Sequence, residues 1–453
     1  MPDTVDILLP SEKGAPLTRA EGEAQWIKVE DALNGLFDGS KKAGNADKLD
    51  GFDSSDFARF VQMTGAVGNI NSPLLHLPLK KNLLTQQGQS VCTFTRASAA
   101  TYVDRYGMLK SVAADTPRFT TEGLLIEGAS TNLLTYSEQF DNGAWVKTNA
   151  SIAANTAAVT DPFGTNLADK LIEDASSGEH SAYQQCAYIN GTTYCLSVFA
   201  QSAERTQLKI YSSGGAKGAL FDLSNGSVVS YDSGVTASIQ KLSNGWFRCS
   251  IVFTATVTAT RANYFYSTVS GNTSYVGNGT SGLYLFGAQL EAMPFATSYI
   301  QTTTTSVTRA GNGLSVLQSD NFPSFSGNLS VCVDLSNLAK HSANQEILRD
   351  SSGFRLYYAT EGLIAFAFGN KQITSAVLPG VFSGRITAVK SLTMLYLYIN
   401  GLLVASTAIG TLAVNQTTMQ IGSASGTSNY FYGTISNLRI YDRALTAEEV
   451  RLA

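Results

Sequence analysis

Residues 392–405 read Leu392-Thr393-Met394-Leu395-Tyr396-Leu397-Tyr398-Ile399-Asn400-Gly401-Leu402-Leu403-Val404-Ala405. Two apolar runs flank Asn-Gly, the dipeptide whose two positions best tolerate the positive φ of a two-residue turn. The stretch predicts a β-hairpin, and much of the chain repeats its grammar. From about residue 74 onward, runs rich in β-branched and aromatic residues recur, at 193–201, 206–211, 246–255 and 262–269 among others, separated by clusters of Gly, Asn and Ser. Short strands at regular spacing predict a sandwich or barrel.

Composition agrees. The 453 residues carry 40 Gly, 20 Tyr and 22 Phe, and only 15% are charged, against roughly 25% in an ordinary soluble domain. Aromatic and β-branched side chains suit a pleated, half-buried surface, which argues against an ordinary helical enzyme. Lys and Arg number 31 against 35 Asp and Glu, a net charge of −4. That balance leaves no electrostatic footprint for nucleic-acid binding. The five cysteines (Cys92, Cys186, Cys195, Cys249, Cys332) are odd in number and widely spread. Neither a zinc site nor a disulfide framework is expected, and synthesis in a reducing compartment fits better. The first six residues lack the basic region and apolar core of a secretory signal, so export is not expected. The most apolar long stretch, 402–414, is interrupted by Ser406, Thr407, Gly410 and Thr411 and is too short to span a bilayer.

Helical signals concentrate near the start. Thr18 and Glu21 have capping-box spacing, which predicts a helix over about 20–36. Along it Trp26, Val29, Leu33 and Leu36 recur at the steps of a coiled-coil seam. Either this is one amphipathic helix packed on its own chain or it self-associates; the absence of another helix nearby favours the second. Residues 38–72 are polar. Within them, Asp47 counted as the first position of a calcium loop leaves Ala58 where a bidentate Glu is required. No metal site is expected there.

The repeated threonines at 302–305 separate two β-rich blocks and place a boundary near 312. The expected organisation is a tail-attachment and trimerising helical segment at 1–40, a linker at 41–72, a sandwich with a leading strand segment at 73–311, and a second sandwich at 312–453. Phe94-Thr95-Arg96-Ala97 is echoed by Val307-Thr308-Arg309-Ala310, as though the strands entering and leaving the first sandwich pair. At the C-terminus Ile435, Leu438 and Ile440 supply strand apolars, and Thr446 with Glu449 predicts a capped final turn.

Several segments resemble known families. Residues 14–26, with Leu17-Thr18-Arg19-Ala20-Glu21, resemble the start of bacteriophage tail-fibre proteins, with Glu23 and Gln25 where Asp and Asn are usual. Ala46-Asp47-Lys48-Leu49-Asp50-Gly51 resembles a linker motif of phage fibres. Phe94-Thr95-Arg96-Ala97, Arg118-Phe119 and Gly128-Ala129-Ser130-Thr131-Asn132 resemble a segment of phage structural proteins. With Gly245-Trp246-Phe247-Arg248-Cys249 and Phe286-Gly287-Ala288-Gln289-Leu290-Glu291, they resemble the jelly-roll sandwich of carbohydrate-binding-module-like domains, over about 130–310. Residues 432–450 are similar to the closing strand and helix of concanavalin-A-like, laminin-G-like lectin domains.

The resemblance implies a mainly β protein: a short N-terminal helix, expected as a trimeric coiled coil, followed by two antiparallel β-sandwich domains of jelly-roll and concanavalin-A-like type. It implies a homotrimeric phage tail fibre or receptor-binding protein in the virion tail, attached by its N-terminus to tail or baseplate proteins. Its sandwiches are expected to recognise host surface polysaccharide or glycoprotein without catalysis, nucleic acid or membrane insertion. The alternative is a structural virion component, a fibre spacer or capsid decoration protein, whose sandwiches bind other virion proteins.

The residues offer no catalytic motif. His76, His180 and His341 lack clustered ligands, and no GxSxG, HExxH or phosphate loop occurs. No cofactor is expected; laminin-G-like domains often hold calcium, but no Asp or Asn grouping here compels it. A sugar presents an apolar face and a rim of hydroxyls, so exposed aromatics on sandwich faces are the natural binding candidates. These are Trp145, Tyr183, Tyr211, Tyr264 and Tyr266 in the first sandwich, and Tyr357 and Tyr430 in the second. Tyr264 and Tyr266, two apart, share a strand face. Trp145 and Trp246 also fit core positions. Tyr357 and Tyr358 must face opposite ways in a strand, and Tyr432 reads as packed.

Overall fold

The computed structural model describes residues 73–317, 327–350, 353–378, 380–409, 418–424, 426 and 428–452. The expected helix with Trp26, Val29, Leu33 and Leu36, and the linker motif, lie outside the described residues.

Four antiparallel sheets build two sandwiches. The first pairs two sheets over a core of Phe140, Trp145, Leu196, Phe221, Ile251 and Phe265. One sheet runs, in spatial order, Ser227–Tyr231, Lys217–Asp222, Gln207–Ser212, Ala259–Thr268 and Ser177–Tyr188, the last also pairing with Ser274–Val276 and Val146–Thr148. Its partner runs Thr236–Lys241, Phe247–Thr254, Thr193–Ser202, Gly282–Glu291, Asp169–Glu173 and Ala150–Ala153. The expected strands at 193–201, 206–211, 246–255 and 262–269 therefore form within a residue or a few of their read limits. The second sandwich closes over Val331, Val333, Leu356, Phe366, Leu397 and Ile440.

The hairpin at 394–408 forms as read. Met394–Ile399 pairs with Leu402–Ala408, and Asn400 and Gly401 carry φ of 49° and 78°, the signs a type I′ turn requires. The final capping box also forms. Thr446 N donates to Glu449 Oε2 at 2.8 Å and Glu449 N to Thr446 Oγ at 3.3 Å, opening the helix Ala447–Leu452. No described helix is long and apolar enough to cross a membrane.

The chain order of the sandwiches differs from a simple succession. Leu75–Leu77 and Leu124–Ile126 both pair with Gly433–Tyr441, and Cys92–Thr95 pairs with Gly313–Leu317. Leu75, Leu77, Leu124 and Ile126 lie in the core of the second sandwich. The leading strand segment, expected with the first sandwich, thus belongs by hydrogen bonding and burial to the second. The first is an insertion between two parts of the second. The echoed segments do not pair with each other either: Val307–Arg309 pairs with Ser130–Asn132. Strand pairing over more than 200 residues leaves no local signature, which is why periodicity missed it.

What the echoes share is a buried charge cluster where the chain leaves and re-enters the second sandwich. Arg118, Arg309 and Arg96 are almost fully buried. Arg118 Nη1 donates to Glu127 Oε2 at 2.8 Å, and its Nη2 to Asn312 Oδ1 at 3.1 Å. Arg309 Nη2 lies 3.6 Å from the same Glu127 oxygen. Ser298 donates to both Glu127 oxygens, from its backbone N at 2.8 Å and its hydroxyl at 2.7 Å. Asn312 N donates to the Glu127 carbonyl at 3.0 Å. Arg96 instead donates to three backbone carbonyls, of Ser98, Thr116 and Ala113. Burial alone would raise the Glu127 carboxyl, but Arg309, Arg118 and the Ser298 bonds hold it down at about 2.

Because that folded value lies below the unfolded carboxylate range, the cluster stabilises the fold above about pH 4 and is lost as pH falls toward about 2. Glu127→Gln leaves two buried guanidinium groups without their anion. It is expected to cost about 3–5 kcal/mol, read as a lowered thermal midpoint at pH 7 and a smaller loss between pH 4 and 2. Glu138 behaves oppositely. Burial raises its carboxyl to about 7 despite bonds from the Tyr299 hydroxyl and the Gln301 amide. Its contribution is complete below about pH 4 and lost as pH rises to about 7, so thermal midpoints of Glu138→Gln should decline less across that window than those of the parent.

Candidate functional site

Strand alternation divides the tyrosine-bearing sheet of the first sandwich into two chemistries. Along Ala259–Thr268, Asn263, Phe265 and Ser267 point inward, where Phe265 meets Phe140 and Trp145 at ring-centroid distances of 6.2 and 5.8 Å. Tyr264 and Tyr266 take the other face. Register then lays out a row: Tyr183 is opposite Tyr264 on one side, and Tyr211 is opposite it on the other. Val146, exposed, extends the row beside Tyr183. The next row places Ser181, Tyr266 and Lys209 side by side; beyond it Gln207 is opposite Thr268, while Glu179 pairs with Ser274.

The four rings form one contiguous group. Tyr183 and Tyr264 lie 4.7 Å apart between centroids, Tyr211 and Tyr264 6.2 Å, and Tyr264 and Tyr266 5.2 Å with an interplanar angle of only 11°. Tyr183, Tyr211 and Tyr264 are partly exposed, whereas Tyr266 is 6% exposed and closes the floor. Burial raises the Tyr264 and Tyr266 phenols, so both stay neutral donors at physiological pH. The 269–273 loop bounds one end, with Gly271 N donating to Gln207 Oε1 at 2.8 Å and the Thr273 hydroxyl to Glu179 Oε1 at 3.2 Å. Lys209 Nζ stands 6.0 Å from the Tyr211 centroid. The Ser181 hydroxyl is buried with no hydrogen-bond partner among the described residues.

The other candidate residues are placed elsewhere. Trp145 is 1% exposed, packs 4.7 Å from Phe140, and donates its indole N–H to the Tyr136 carbonyl at 2.9 Å. It belongs to the core, as its alternative reading had it. Trp246 is likewise buried and bonded to the Thr160 carbonyl at 2.7 Å. Tyr357 is nearly buried, beneath the Arg355 guanidinium at 4.4 Å, with its hydroxyl on Gln372 Oε1 at 2.7 Å. Tyr430 donates to the Gly426 carbonyl at 2.8 Å, and its ring fills space against Gly311, where any Cβ would collide with it. Neither joins the group of four. Tyr432 is buried, as read.

Sequence reasoning missed Lys209 and Ser181, although the Lys209-x-Tyr211 and Ser181-x-Tyr183 spacings put each on its tyrosine's face. It also missed a cleft of about 650 Å³ between the two sandwiches, lined among others by Tyr102, Asp104, Glu122, Gln240, Phe295 and Tyr432. These come from distant stretches and only tertiary packing assembles them. Among the described residues no group of three or more His, Cys, Asp or Glu is arranged to hold a metal ion. The buried His180 directs its nitrogens at the Asn149 and Tyr275 carbonyls, and His341 stacks on Tyr432 at 5.0 Å.

Residues 309–451 match the family model described as the concanavalin A-like lectin/glucanases superfamily. The match spans the C-terminal part of the second sandwich, whose leading strands lie before the insertion. No curated protein matches the chain. Among solved structures, the receptor-binding domain of botulinum neurotoxin D is 17% identical with a TM-score of 0.26, covering 31% of this chain and 41% of its own. The binding domain of Paraclostridial Mosquitocidal Protein 1 is 16% identical with a TM-score of 0.26, covering 33% and 43%. The chain therefore spans about two fifths of the length of these structures. The fold is mainly β, and the concanavalin A-like match falls on the C-terminal part of its second sandwich.

Core and face are separable by mutation. Trp145→Ala should cost about 3–5 kcal/mol, whereas Tyr264→Ala, losing ring contacts worth about 0.5–1.5 kcal/mol each at a partly exposed position, should cost less; urea unfolding of the two variants checks the order.

Proposed function

We propose that the protein is a non-catalytic carbohydrate-binding protein, and that the face carrying Tyr183, Tyr264, Tyr211 and Tyr266 is its glycan site. The observation that carries this reading is the continuous row of three tyrosines across adjacent strands. Partly exposed rings offer apolar area for a pyranose face while phenols and Gln207 offer polar partners for its hydroxyls. The lectin-type family match of the second sandwich supports the same class of ligand.

The finer reading is a bacteriophage tail fibre or receptor-binding protein, located in the virion tail, that binds host surface polysaccharide or glycoprotein. Support comes from the resemblances at 14–26 and 46–57 and from the structural-protein motifs that follow them. In this reading the N-terminal region attaches to tail or baseplate proteins and trimerises through Trp26, Val29, Leu33 and Leu36. Three linked weak sites then gain avidity through high effective concentration. A structural virion role is favoured by a different feature, the exposed apolar side chains of Leu392, Leu402, Leu403 and Val404 on the second sandwich, which suit a protein partner.

Binding of the purified full-length protein to intact host cells tests the reading. Attachment should be abolished by periodate treatment of the cells and fall at least about ten-fold in Tyr264→Ala, the scale of one or two lost ring contacts, with survival of protease treatment marking a polysaccharide and its loss a glycoprotein. Attachment unaffected by periodate and by Tyr264→Ala would sink it in favour of a protein partner.

A further inference from the structure

We propose that the tyrosine face selects an acidic glycan, a polymer bearing uronic-type carboxylates, and that Lys209 receives the carboxylate. The inference rests on the reading of this face as a glycan site and adds the class of sugar it takes.

Lys209 lies on the strand Gln207–Ser212, two residues from Tyr211 and opposite Tyr266, so its side chain rises from the same face as the four rings. Its ammonium, 6.0 Å from the Tyr211 centroid, has no hydrogen bond or ion pair among the described residues. The acid nearest this face, Glu179, makes no ion pair with it among the described residues. Glu179 already accepts the Thr273 hydroxyl and borders the 269–273 loop. The centre of the face thus presents aromatic rings and one unpaired cation.

These features suit one kind of ligand. A hexuronic acid stacked on Tyr264 or Tyr211 carries its carboxylate on the ring carbon C5, a few ångströms from the ring centre and within the sweep of a four-carbon lysine arm. The ammonium–carboxylate contact is a charge-assisted hydrogen bond, stronger than a hydroxyl in the same place would make. A neutral sugar would leave the lysine charge without a counterpart inside a partly covered aromatic face.

The test measures binding of the full-length protein to polygalacturonate, alginate and hyaluronan, to the carboxyl-reduced form of each, and to neutral dextran and mannan. At least one acidic polymer should bind about ten-fold more tightly than its carboxyl-reduced form, with the difference shrinking in 0.5 M salt. Lys209→Met keeps the apolar stem over Tyr211 and removes the charge, so it should erase the difference while leaving the thermal midpoint unchanged. Equal binding of native and reduced polymers, binding of no polymer in the set, or a preference that survives Lys209→Met each overturns the proposal. In any of those cases a loss of periodate-sensitive cell attachment in Tyr264→Ala still sustains the glycan reading, and an unaltered Tyr264→Ala removes both.

Discussion

One buried carboxylate, Glu127, holds the molecule's topology together. It sits between Arg118, from the segment before the inserted sandwich, and Arg309, from the segment after it, with Ser298 completing its bonds. Placing these charges out of water is costly, and their stability depends on all partners being present. The chain therefore crosses between sandwiches at a point where misplacing any one strand exposes an unpaired buried charge. Asn312, which accepts from the Glu127 N–H and from Arg118 and donates to the Glu127 carbonyl, continues the same lock into the returning strand.

That lock explains how one sandwich is housed within another. The second sandwich takes strands at 75–77, 92–95 and 124–126 from the near side of the insertion and the rest from beyond residue 312. Leu75–Leu77 and Cys92–Thr95 cover sheet edges that would otherwise present unpaired backbone groups. The tyrosine face lies on the inserted sandwich, on the sheet face away from its own core. Substitutions there can change surface chemistry without opening the Trp145–Phe140–Phe265 packing beneath.

The segments that make the phage resemblance specific turn out to be structural nodes. Arg118 and Glu127 form the charge cluster. Asn132 donates to the Ala288 and Ile300 carbonyls and accepts from Leu134 and Leu290. Glu291 accepts from the Ser130 and Thr297 hydroxyls, the latter with its own backbone N. Each residue satisfies buried polar groups at a junction, so these motifs carry the topology and the tyrosine-bearing strands lie between them. This is why those motifs said little about the tyrosine face.

Local chemistry made the hairpin at Asn400-Gly401, the Thr446–Glu449 cap and the main strands readable from residues alone, because turn φ values, capping bonds and side-chain alternation are set within a few residues. Alternation likewise put Tyr264 and Tyr266 on one face. Whether that face was core or surface, and that Tyr183 and Tyr211 flank Tyr264 while Trp145 lies beneath, depended on which strands pair across 50 to 80 residues. The nesting of the sandwiches depended on pairings across several hundred. Residue sequence determines local conformation through short-range sterics and hydrogen bonds. Register, face and domain membership follow from long-range burial, which only the assembled tertiary structure decides.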